Sequence, residues 1–117
     1  MKVISKYLYM SGMSYNAEST VHAVIAFAEQ NKNRLVHNLS FSEFLNLANL
    51  HEETTRAQVT SILSETRRAT MNIRVIEISA AGKREVLNGN WPMFVFFLIT
   101  DSHVSFEICP YTWEDFD

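Results

Sequence analysis

Cysteine, glycine and proline are all scarce in this chain. One cysteine, Cys109, excludes an intramolecular disulfide and points to a reducing compartment, the cytoplasm. Three glycines and two prolines among 117 residues leave no flexible linker, so organisation has to be read from hydrophobic periodicity. The longest apolar run, residues 91–99, is nine residues long and contains Pro92. It falls far short of the roughly 20 residues of a membrane-spanning helix, so no membrane contact is expected. The first residues lack the continuous apolar stretch of a secretory signal, which fits the same compartment. Glycine-rich phosphate loops, a nucleophile elbow and a His-Glu-x-x-His pattern are missing too. His22, His37, His51 and His103 lie 15, 14 and 52 residues apart, with no pair at zinc-ligand spacing. These absences predict no metal, no cofactor and no catalytic activity. Nor is there an excess of positive charge: ten Lys and Arg stand against thirteen Asp and Glu, a net charge of −3. Any contact with nucleic acid must come from a local patch.

What is present is an ordinary globular balance, with 47% hydrophobic and 20% charged residues, in a length that makes one domain spanning residues 1–117. Val21, Val24, Ile25 and Ala28 fall on one helix face and predict a helix over about 20–30. Residues 34–37 suit a short edge strand. In Leu39-Ser40-Phe41-Ser42-Glu43-Phe44, Ser40 and Glu43 can cap one another's amides while Leu39 packs on Phe44. Both devices mark a helix start, with the helix running to Ala48 and Asn49 as a left-handed terminator. A second helix is expected over residues 52–69, with Val59, Ile62, Leu63 and Thr66 inward and Glu52 and Glu53 in its first turn, where the helix dipole favours them. From Met71 the period becomes two. It predicts a strand over 71–78, turns at Ala80-Ala81-Gly82-Lys83 and Asn88-Gly89-Asn90, a hairpin of 93–100 with 103–109 about Asp101-Ser102, and a terminal turn within 110–117. The expected fold is α+β, a winged helix: a helix-turn-helix followed by an antiparallel β ribbon.

Two stretches carry a family resemblance. One is Leu39-Ser40-Phe41-Ser42-Glu43-Phe44 through Leu50 to Val59-Thr60-Ser61-Ile62-Leu63. The other is Trp91-Pro92-Met93-Phe94 followed by Val104-Ser105-Phe106-Glu107-Ile108-Cys109-Pro110-Tyr111, Trp113 and Phe116. In these the chain resembles the first of the two winged-helix domains of replication initiators from iteron-containing bacterial plasmids, over residues 19–116. The resemblance implies a bacterial cytoplasmic protein associated with a plasmid or the nucleoid. It also implies binding to double-stranded DNA at origin repeats or an operator, in initiation or autoregulation, as a homodimer, with other replication proteins as further partners. The family's second winged-helix domain, which reads most of the bases, has no counterpart in this sequence.

On the helix over 52–69, steps of 100° put Thr54, Ala57, Ser61, Ser64 and Arg68 opposite the core side, with Arg56, Thr60 and Arg67 on one flank. Thr54, Arg56, Thr60, Arg67 and Arg68 are the candidates for DNA contact, joined by Lys83 and Arg84 at a hairpin tip that would reach a phosphate backbone. A solvated helix face and an ordinary charged turn explain the same residues, and the small side chains at 57, 61 and 64 also suit a partner helix. Residues 70–117 hold three basic against seven acidic residues, so the tail end would face away from DNA. The run Met93-Phe94-Val95-Phe96-Phe97-Leu98-Ile99 is apolar on both alternating faces. It is either a central core strand or a dimer face carrying Phe94, Phe96 and Leu98. The rival reading from another class is a protein-interaction module of the same shape that does not bind DNA.

Overall fold

The computed structural model describes residues 1–116. Among them, three α-helices and two three-stranded antiparallel sheets form a mixed α+β architecture. Helix α1 is Tyr15–Gln30, five residues longer at its start than periodicity alone indicates, because Ser14 caps it and accepts a hydrogen bond from the Ala17 amide. Ser14 is itself clamped by Glu65, whose carboxylate accepts from the Ser14 amide and hydroxyl, both at 2.9 Å. Strand β2, His37–Ser40, leads into helix α2, Phe41–Leu47, through the expected reciprocal cap. Ser40 accepts the Glu43 amide at 3.1 Å, and the Glu43 carboxylate accepts the Ser40 amide at 3.0 Å. Asn49 is left-handed at φ 56°, and the Leu50 amide closes back on the Leu45 carbonyl at 2.8 Å.

Helix α3, Arg56–Thr66, is shorter than the expected 52–69. A second capping box, Thr55 with Gln58, sets its start three residues beyond Glu53. Glu52 and Glu53 therefore lie in the preceding loop, outside the dipole's first turn, and the Glu53 amide donates to Nδ1 of His51.

Strands β5, Phe94–Ile99, and β6, His103–Ile108, form the expected hairpin about Asp101-Ser102, and β2 joins it in the order β2-β6-β5. The three helices pack on this sheet. Phe44, Phe106, Val21, Val24, Val59, Val104 and Met93 make a sealed core between them.

The second sheet runs β1-β3-β4, with β1 Lys2–Tyr9, β3 Thr70–Ser79 and β4 Gly82–Pro92. Two of its features depart from the sequence reading. Strand β1 lies outside the elements expected from periodicity, although Val3, Ile4, Tyr7 and Tyr9 are strand-forming types; it adds to β3 along its whole length, from Lys2 opposite Glu77 to Tyr9 opposite Thr70. Asn88-Gly89-Asn90 is not a turn. It continues β4 opposite Asn72, Ile73 and Arg74, because the true reversal at Ser79 to Gly82 commits both flanking segments to one long hairpin. The only irregularity in that pairing is a bulge at Val86, between the Val75–Leu87 and Ile76–Glu85 pairs.

The hairpin projects as an arm, so the radius of gyration is 16.7 Å and the longest extent 59 Å. A compact chain of this length would have a radius near 13 Å. The arm's base is covered by the terminal segment. Pro110–Trp113 forms a 3-10 turn within the predicted 110–117, Asp117 lying outside the described residues. Trp91 then stacks on Phe116, ring centroids 6.1 Å apart, while Lys6 donates to the Glu114 carbonyl at 2.7 Å.

Candidate nucleic-acid interface

Helix α3 presents its inward side chains, Val59, Ile62, Leu63 and Thr66, to the core and leaves Ala57, Ser61 and Ser64 exposed, the division expected from 100° steps, while Arg68, also exposed, lies beyond the helix end because α3 stops at Thr66. Beside this exposed strip lies a shallow groove of about 530 Å³ lined by polar groups that include Asn16, Asn49, His51, Thr54 and Ser61. Thr54 is half-buried at its edge. The hydroxyls of Thr60 and Ser64 donate to the carbonyls of Arg56 and Thr60 one turn back, so both satisfy themselves within the helix.

The arginines are engaged as well. Arg56 pairs with Asp101 at 3.0 Å and donates to the Ile99 carbonyl, and Arg67 donates to the Phe97 carbonyl at 3.2 Å. The Thr100 amide bonds inward to His103, so by alternation the carbonyls of residues 97 and 99 face the side of β5 that has no partner strand. The two arginines thus fasten α3 to β5 and cover part of an otherwise open sheet edge. Arg68 lies 3.7 Å from Glu65.

No known family model, characterised protein or solved structure matches this chain.

At the arm, Lys83 and Arg84 follow the tip at Gly82 as expected, but successive residues of a strand point to opposite faces. Arg84 pairs with Glu77 at 3.5 Å, and Arg74 pairs with Glu85 at 3.4 Å. Lys83 makes no ion pair among the described residues. The tip lies about 30 Å along the strands from Thr70, at roughly 3.3 Å per residue. Lys83 and Arg84 consequently do not merge with the arginines of α3 into one continuous basic face.

The expected dimer face is rearranged by a bulge in β5 between Phe94 and Phe96. The extra residue, Val95, resets the alternation. Phe94 and Phe97 both turn inward, their rings 4.5 Å apart, while Val95 and Leu98 are each 55% exposed and Phe96 is half-buried. Phe94 is a core residue, and the apolar patch on this strand is Val95, Leu98 and part of Phe96.

His37, not singled out from the sequence, is buried between aromatic rings, stacked on Phe106 at 5.2 Å and edge-on to Phe27 at 5.5 Å. Burial, and then the charge of Arg34, push its pKa below 6.5. The unfolded chain therefore binds this proton more readily than the folded one, and stability falls as pH drops below 6.5 toward the folded pKa. In urea unfolding at pH 7.5 and 5.5, His37→Phe, which keeps the stacking and removes the proton, is expected to lose less stability than the parent. An equal loss in the two proteins contradicts this. Among the described residues, no three His, Cys, Asp or Glu side chains gather to hold a metal, and no helix is long and apolar enough to cross a membrane.

Proposed function

We propose that this chain is a winged-helix module that binds double-stranded DNA and pairs with a second copy, of the kind that forms the first domain of iteron-plasmid replication initiators, acting at an origin or its own operator. The observation that carries the reading is the order α1, β2, α2, α3, β5, β6 with the sheet arranged β2-β6-β5 and the outer side of α3 left open. In that arrangement α3 is the helix offered to a major groove, with the exposed Ala57, Ser61 and Ser64 small enough to let its backbone approach base edges. The 30 Å arm carries Lys83 to phosphates about one helical turn away, since a turn of duplex is roughly 34 Å. Val95 and Leu98 supply an apolar patch for the second copy.

A specific observation favours the rival, an interaction module that ignores DNA: Arg56, Arg67, Arg68 and Arg84 are already engaged within the chain, and the tip of the β5–β6 hairpin carries the acidic Asp101. Salt separates the two readings. Molar mass by light scattering, with and without mixed duplex DNA, is expected to give a dimer that joins DNA at low salt and releases it steeply as salt rises. Lys83→Ala is expected to reduce the log-log salt slope by about one unit. A dimer that ignores DNA at every salt concentration supports the interaction module.

A further inference from the structure

We propose that the cavity between the α1–β2 loop and the end of β6 binds a small organic carboxylate. The cavity measures about 200 Å³ and is lined by Lys32, Arg34, His37, Ile108, Pro110 and Trp113 among others. It is smaller than pockets that take drug-sized ligands and suits a molecule of few atoms. Two cations border it and no Asp or Glu does, so its electrostatic preference is for an anion.

The buried polar group in its lining is His37, 5% exposed, whose ring nitrogens make no hydrogen bond among the described residues. No sealed polar side-chain atom among these residues lacks a partner, so the ring nitrogens meet open space. His37 borders two such spaces, and the second also contains Glu43, which repels an anion. In the cavity with Lys32 and Trp113, which no carboxylate lines, an imidazole N–H open to it would donate to a ligand oxygen. Burial beneath Phe106 and Phe27 holds the ring in place before any ligand arrives.

The remaining walls decide the rest of the molecule. Ile108, Pro110 and the flat indole of Trp113 offer apolar surface to a planar body, while Arg34 and Lys32 sit where a carboxylate can take charge-assisted hydrogen bonds. This chemistry is independent of the DNA reading, because the cavity lies at the Ile108 end of β6, away from Asp101 and α3.

Benzoate is the probe, followed by NMR at the His37 ring and the Trp113 indole. Saturable shifts of both signals at millimolar benzoate are expected. Benzyl alcohol, the same body without the charge, is expected to leave them in place. Arg34→Gln and Lys32→Gln, both at exposed loop positions, are each expected to weaken benzoate by about tenfold, the worth of one charge-assisted hydrogen bond. Absent shifts, equal shifts with the alcohol, or unchanged affinity in both variants would overturn the proposal.

Discussion

Phe106→Ala is expected to destabilise the chain by about 3–5 kcal/mol, a large share of the 5–15 kcal/mol that holds a domain together. Phe106 is fully buried on β6, the central strand of β2-β6-β5. Its ring meets Phe97 at 5.9 Å, Phe27 at 6.4 Å and His37 at 5.2 Å, so one side chain ties together α1 and all three strands of the sheet. Truncation removes the transfer free energy of a phenyl ring and leaves a void. The flanking residues belong to paired strands and a helix, and they cannot collapse into it without breaking hydrogen bonds. Val36→Ala in the segment before β2, where the side chain is 45% exposed, serves as the contrast and is expected to stay within about 0.5 kcal/mol. Urea unfolding of the three proteins decides the matter. A loss below about 1.5 kcal/mol for Phe106→Ala would mean that the sheet and the helices do not share one core.

The sequence showed the parts of this fold whose signals are local. The Ser40–Glu43 box, the left-handed Asn49, the two-residue Asp101-Ser102 turn and the 3.6-residue stripe of α3 each depend on residues within a few positions of one another, and each forms where it was expected. The failures share a different cause. Asn88-Gly89-Asn90 has the composition of a turn, yet its backbone groups are committed to Asn72, Ile73 and Arg74 across the hairpin, a decision made by pairing and not by local propensity. The parity of β5 is not legible in the sequence, because a bulge leaves no mark in a run of apolar residues and one extra residue exchanges the inward and outward sets. Arginines on α3 could be counted in the sequence, but their engagement with carbonyls 30 or more positions away could not. The same holds for His37, whose cavity is completed by Trp113 from the far end of the chain.

That engagement of the arginines determines which substitution tests DNA binding cleanly. Removing Arg56 or Arg67 also unfastens α3 from β5, so a loss of affinity there has two explanations. Ser61 avoids the ambiguity. It is exposed at the middle of α3, makes no hydrogen bond through its side chain among the described residues, and lies on the strip with Ala57 and Ser64. Ser61→Glu costs the helix little, since glutamate is a good helix former. In a major groove, however, it sets a carboxylate against the phosphates, and like charges brought together at an interface cost several kcal/mol. The expected result is a loss of DNA affinity on the order of a hundredfold or more, with an unchanged unfolding transition. Ser61→Ala, which adds no charge, should bind within a few-fold of the parent. Fluorescence anisotropy with a labelled duplex at low salt reads both variants. If Ser61→Glu binds as the parent does, α3 does not enter the groove, and the exposed strip of small residues is then better explained as a seat for another protein's helix.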